Sequence, residues 1–290
     1  MNERSGMSAK TMNMIAMSAF GTISIFVRNV DLSSMEIAFW RGTIAIFVLY
    51  LISIFKGKQK NQPMKAGQKG VLFLSGMAVG LNWAFLFLAY EYTSVASATL
   101  AYYFAPAIVI ALCPLLFKEK ITRFQLTCFL MSTLGLVFVI GGGNLSGGNV
   151  KGICFGLGAA CFYAAVVLGN KFMKEGSGLE RTMIQFAGAS VLLFVIVLWK
   201  GGFQIHHATL FHLANLMVIG VFHTGICYWL YFASIKELKG QQTAILSYID
   251  PLVAILVSLL VFREPISLLQ GIGALLILGF TCLYERKDGH

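Results

Sequence analysis

The chain has 290 residues, 58% of them hydrophobic and only 12% charged, with a net charge of +10 and a mean hydropathy of +0.78. The charged share is about half that of a soluble protein, too little to cover a water-facing surface. A water-soluble enzyme, a disordered chain and a nucleic-acid-binding domain are excluded, and the surplus lysine and arginine reads as loop anchors facing anionic lipid.

Apolar runs of about 20 residues have the length that crosses a bilayer core. In chain order they predict ten helices, at 9–27, 34–55, 70–90, 95–117, 121–141, 150–172, 181–199, 210–235, 240–262 and 266–284. Helices are preferred because backbone groups in lipid must find partners within their own segment. A barrel needs strands of alternating polarity, and continuous runs such as Ala107–Leu112 do not alternate. The basic start Met1–Lys10, followed by an apolar run, imitates a signal peptide. No clear small-residue cleavage site follows, so the first run is read as a retained helix.

The basic residues set an expected orientation. With the N-terminus cytoplasmic, 17 of the 22 lysines and arginines fall on inside segments. The other 5 are Arg28, Arg41, Lys151, Lys200 and Arg263. That asymmetry predicts a multi-pass cell-membrane protein with both termini in the cytoplasm.

The two halves resemble each other. A shift of 145 residues places Tyr103 on Tyr248, Pro106 on Pro251, Ile110 on Ile255, Leu115 on Leu260, Phe117 on Phe262, Glu119 on Glu264, Ile121 on Ile266 and Gln125 on Gln270. No gap is needed from residue 98 to 125. Five helices per half is an odd number, so the second half is expected to run inverted, an arrangement found in transporters with a site near the midplane. The expected fold is therefore all-α, with ten transmembrane helices as two inverted five-helix repeats around a central cavity. The repeats are placed at 1–143 and 144–290, joined by the flexible segment Gly141–Gly148.

These features resemble the drug/metabolite transporter superfamily, in its EamA family, over nearly the whole chain. The resemblance rests on the five-plus-five repeat and on the segments Pro106…Phe117-Lys118-Glu119-Lys120-Ile121 and Pro251…Phe262-Arg263-Glu264-Pro265-Ile266. The segment Glu36-Ile37-Ala38-Phe39-Trp40-Arg41-Gly42 is similar to the family's second helix. The resemblance implies a ten-helix carrier of small metabolites, often an exporter of amino acids or related compounds. Such motifs mark the fold better than the solute.

Asp250 is the most informative residue. It stands about ten residues into the ninth predicted helix, roughly 15 Å along it and close to the midplane. A carboxylate there costs several kcal/mol unless paired or hydrated. Thr243, Ser247 and Asp250 fall on one face of a continuous helix. Two functional roles are open for Asp250, partner of a substrate amine or proton carrier, with a structural ion pair as the competing role. Arg41 stands roughly 10 Å into the second helix. Its guanidinium is expected to pair with Asp250 or to bind a substrate carboxylate.

Asn82 and Trp83, Tyr102 and Tyr103, Trp229, and Ser247 with Tyr248 complete the expected substrate site. Aromatic walls with polar edges suit small organic solutes. Trp83, Tyr102 and Trp229 are the favoured aromatic set. Tyr90, Tyr92 and Tyr284 are read as interfacial belt residues, and the Gly76/Gly80 and Gly152/Gly156 pairs as close helix contacts. Glu119 and Glu264 are read as helix-end structure.

His223 is either packed or a proton relay, with packing favoured. His206, His207 and His212 read as a solvated loop. The six cysteines lie in apolar runs without a Cys-x-x-Cys pair. No metal, catalytic residue or cofactor is expected, with proton coupling the open exception. The expected partners are a small-molecule solute and membrane lipid, with no nucleic acid, and the chain is expected as a monomer or homodimer. The leading expectation is a non-enzymatic secondary transporter working by alternating access, with export as the direction. A lipid-linked substrate flippase or a membrane-embedded enzyme is the alternative.

Overall fold

The architecture is taken from a computed structural model, which describes residues 7–56, 64–93, 98, 101–118, 121–141, 150–173, 175–263 and 267–288. The described elements are helical. They are α1 (Ala9–Val27), α2 (Ser34–Lys56), α3 (Ala66–Tyr92), α4 (Ala105–Phe117), α5 (Arg123–Gly141), α6 (Val150–Phe172) and α7 (Gly178–Trp199). A short 3₁₀ turn, Ile205–His207, leads to α8 (Leu210–Ile235). Then come α9 (Gly240–Leu246), α10 (Ile249–Leu260) and α11 (Leu268–Asp288).

Among the described residues, six helices are long and apolar enough to cross a membrane: α1, α2 and α3, and α6, α7 and α8. They are the first three of each half. The outward side chains are apolar too: Phe55, Leu115, Val150, Trp199, Leu210 and Leu268 are each more than 70% exposed. Such a surface is satisfied by lipid rather than water. The protein is a multi-pass membrane protein.

The ninth predicted helix is not continuous. It breaks at Ser247–Tyr248 into α9 and α10. Pro251 has no N–H to give to Ser247, and the neighbouring bonds Asp250 N–H to Ser247 O and Leu252 N–H to Tyr248 O are long, at 3.3 and 3.4 Å. The fourth helix turns in the same way at Tyr103–Phe104, just before Pro106. Two of the ten predicted spans, the fourth and the ninth, are thus interrupted where an unbroken helix was expected.

The repeat is visible in local structure. Lys118 and Arg263, 145 residues apart, both adopt a left-handed φ of 55° where α4 and α10 end. Thr122 and Gln125 form a reciprocal capping box ahead of α5, with bonds of 3.0 and 3.2 Å. Ser267 and Gln270 repeat it ahead of α11, at 2.8 and 3.2 Å. Glu119, Glu264 and most of the Gly141–Gly148 segment lie outside the described residues.

Packing exchanges the halves. Helix α3 lies against α6 and α7, while α8 lies against α1 and α2; α4 meets α6, and α10 meets α1. Helix α2 packs on its image α7, and α5 on its image α11. The α2–α7 pair is antiparallel, since Gly42 meets Ser190 and Phe39 meets Phe194. Helices α3 and α7 run parallel, tied by Lys69–Glu180 at 3.2 Å near one end and Lys200–Glu91 at 3.1 Å at the other. Between these ties, Gly76 sits on the Gln185 backbone and Gly188 on that of Phe73, so close that a side-chain carbon at either would overlap a carbonyl. Gly156 packs likewise on Ala98 and Ala101. Tyr284 is not a belt residue: it is fully buried beside Cys128 of α5 and Ile245 of α9.

Candidate functional site

Asp250 opens α10, where the helix break leaves it next to backbone freed by Pro251. Its Oδ2 accepts a hydrogen bond from the Tyr103 hydroxyl at 3.0 Å. Tyr103 occupies the equivalent break ahead of α4, so the two discontinuities face each other through this bond. Gly21 of α1 lies against the Asp250 carbonyl, 2.6 Å from where a Cβ would be. Any larger residue there would displace α10 and its carboxylate.

Arg41 does not pair with Asp250. Its guanidinium carbon lies 3.8 Å from the Trp83 ring centroid, a cation–π stack. Its Nε is buried with no hydrogen-bond partner. The expected ion pair fails because each group is held by its own aromatic neighbour: Arg41 by Trp83 of α3, Asp250 by Tyr103. Ser190 Oγ is likewise buried without a partner, next to Gly42.

Aromatic rings line the space around the two charges. Tyr228 of α8 stands 6.1 Å from Trp83 and 5.4 Å from Phe186 by ring centroids. It lies within electrostatic reach of both Arg41 and Asp250. Tyr102 packs tilted against Tyr103 at 5.4 Å and edge-on against Tyr163 at 5.8 Å. The Tyr163 and Tyr231 hydroxyls share a 2.5 Å hydrogen bond. Beside that pair lies a narrow cleft, lined by Pro106, Tyr163, Tyr231, Thr243 and Ser247 among others.

The predicted residues thus divide. Arg41, Trp83, Tyr102, Tyr103 and Asp250 come together. Ser247 faces the cleft, although its hydroxyl bonds to Ala244 O at 2.6 Å. The predicted seam Thr243–Ser247–Asp250 is split by the helix break, with the first two on α9 and its end and the third on α10. Asn82 instead ties α3 to α6, donating to Ala159 O at 2.7 Å. Tyr248 turns away onto α5, its hydroxyl 2.7 Å from that of Thr133. Trp229 is half-buried against the apolar core. Sequence reasoning preferred Trp229 to its neighbour Tyr228, although Tyr228 is the residue that coincides with Trp83 under the 145-residue shift. Tyr163 carries no polar neighbour in sequence and left no signal.

Comparison with known proteins agrees with this architecture. The model of the EamA-like transporter family matches residues 7–141 and 150–284, once for each half. An uncharacterized transporter of Bacillus subtilis (strain 168), YxxF, is 30% identical over 95% of this chain and 89% of its own length. An uncharacterized transporter of Archaeoglobus fulgidus is 28% identical over 92% of both chains. A solved crystal structure superposes with a TM-score of 0.82 over 95% of this chain and 97% of its own, at 17% identity, which speaks for the fold alone. Two family matches, one on each half, and relatives spanning both halves give one conclusion: the chain belongs to the EamA-like transporter family.

Proposed function

We propose that the protein is a secondary transporter of the cell membrane that moves a small metabolite, an amino acid or related compound, by alternating access, with export as its working direction. One observation carries this reading: Arg41 and Asp250 are opposite charges in the interior, neither neutralised by the other. A zwitterionic solute supplies what both lack, a carboxylate for Arg41 and an amine for Asp250. Tyr102, Tyr103, Trp83 and Tyr228 enclose its side chain. Asp250 also has the chemistry to carry a proton.

The two halves are read as inverted five-helix repeats making ten crossings, with the cytoplasm on the side of both termini. The antiparallel packing of α2 on α7 supports inversion. Alternating access follows if the halves rock about the shared Arg41–Trp83–Phe186–Tyr228 centre. The unit is read as a monomer or homodimer in lipid, without a resident cofactor and without enzymatic turnover.

The test is flux in proteoliposomes. Purified protein is reconstituted with internal amino acids, and their release is followed with and without an imposed pH gradient. Release that is lost in Asp250→Asn supports the reading. Lipid scrambling without solute release overturns it in favour of a flippase.

A further inference from the structure

A second buried polar group lies outside this site. Residues Ile219–Ile226, in the middle of α8, are wound as a π-helix, a rare register that is frequent at functional positions. His223 sits within it and is 1% exposed. Its Nε2 lies 3.0 Å from Thr22 Oγ1 on α1. Its Nδ1 lies 3.4 Å from Val218 O, five residues back along the π turn. Thr22 Oγ1 also lies 2.7 Å from Ala19 O.

A hydroxyl has one proton to give and lone pairs to receive. With a neutral ring, Nδ1–H donates to Val218 O and the Thr22 hydroxyl donates to Nε2. With an imidazolium, Nε2–H donates to Thr22 Oγ1, and Thr22 turns its own proton to Ala19 O. Both protonation states are therefore hydrogen-bonded with the same heavy-atom positions, and only a hydroxyl rotates. A histidine that merely fills space needs partners for one state only.

The remaining neighbours sharpen the point. Helix α1 presents Thr22 and Phe26, whose ring centroid is 5.1 Å away. Helix α8 itself adds Phe222 at 5.2 Å. Helix α2 packs on the same π segment, with Ile44 against Gly220 and Ala45 against Gly225, and Arg41 lies one turn before them, so its charge acts on His223 in addition to the larger effect of burial. Like charges in a medium of low dielectric oppose each other strongly.

We propose that His223, with Thr22, is a reversible proton-binding site coupled electrostatically to Arg41. An anion seated on Arg41 tightens proton binding at His223, and by linkage the proton tightens the anion equally. This last consequence rests on the reading of Arg41 as a carboxylate-binding residue; the proton site does not.

The test needs no solute. Full-length protein labelled with ¹⁵N-histidine is titrated in detergent micelles across roughly pH 5 to 8, the natural range of the imidazole. The His223 signals are those lost in His223→Gln. The ring is expected to convert reversibly between neutral and imidazolium forms. Arg41→Gln binds the proton at least about threefold more tightly, whereas Arg41→Lys, which keeps the charge, stays within about twofold of the parent. Thr22→Val removes the acceptor and binds the proton at least about threefold more weakly. A ring fixed in one state across the range overturns the proposal, as does a midpoint unmoved in Arg41→Gln or Thr22→Val. If Arg41→Gln does not fold, Thr22→Val decides alone. Solute flux lost while the titration persists would strike the transport reading only.

Discussion

The two halves share a backbone and differ in charge. Arg41 of α2 stands where α7 has Phe186, and Asp250 of α10 stands where α4 has Ala105. Around them the repeat is otherwise kept. Trp83 coincides with Tyr228, Pro106 with Pro251, and Lys118 with Arg263 at the same left-handed φ of 55°. Each half thus contributes one charge to a centre that its partner lines with uncharged groups. On the proposed transport reading, the repeated frame is what lets the two halves exchange conformations, and the asymmetric charges are what orient a dipolar solute within it.

The heaviest blow to this comparison falls on the carboxylate. Asp250→Asn is expected to lower transport at least about tenfold, a change of about 1.4 kcal/mol or more, measured as flux in proteoliposomes. Moving the charge to the other half, as Ala105→Asp in the Asp250→Asn background, is expected not to restore flux. The tyrosine that would meet it, Tyr248, is turned onto Thr133. Restored flux would show that the halves are interchangeable after all.

Next comes the cation. Arg41→Gln is expected to weaken binding of a carboxylate-bearing ligand about tenfold, since a charge-assisted hydrogen bond contributes roughly 1.5–3 kcal/mol. The loss is read as a smaller ligand-induced rise in melting temperature. An undiminished shift would place the carboxylate elsewhere.

The frame itself is probed at the α3–α7 crossing. Gly76→Ala forces a methyl into the Gln185 backbone and is expected to destabilise by about 1–3 kcal/mol, seen as a lower melting temperature. A smaller change is expected for Tyr103→Phe, which removes one bond to Asp250 and costs about 1 kcal/mol in ligand affinity. The smallest is at the rim. Glu91→Gln breaks the Lys200 pair, whose side chains are 35% and 55% exposed, and such pairs contribute about 0–1 kcal/mol. A large effect there would mean that the two ends of α3 and α7 do more than align the helices.

Much of this was legible in the chain. The long spans α1–α3 and α6–α8 follow from length and hydropathy alone, because lipid forces each segment to satisfy its own backbone. The paired prolines and the Gln125–Gln270 match announced the repeat before its caps were seen. Arg41 and Asp250 stood out because a charge inside an apolar run is costly. Tyr103 was named, but its bond to Asp250 joins residues 147 apart, which no local pattern encodes. Asn82 and Tyr248 were named for the site, and their protein partners stayed hidden for a related reason. A polar group on a helix advertises a need for a partner without saying whether solute or protein provides it, and here Ala159 and Thr133 do. The π register around His223 and the Tyr163–Tyr231 pair left no trace, because both depend on which helices become neighbours.

By itself, then, the sequence determined that the chain lives in a membrane, that it is built twice, and that two charges must be tolerated inside. Those facts follow from transfer energies and from repetition, which act residue by residue. Only the tertiary structure decided that the charges do not neutralise each other, that Tyr228 rather than Trp229 meets the Trp83 ring beneath Arg41, and that the ninth helix breaks at Ser247. These outcomes depend on close packing of one half against the other, where each side chain takes the nearest partner that geometry allows.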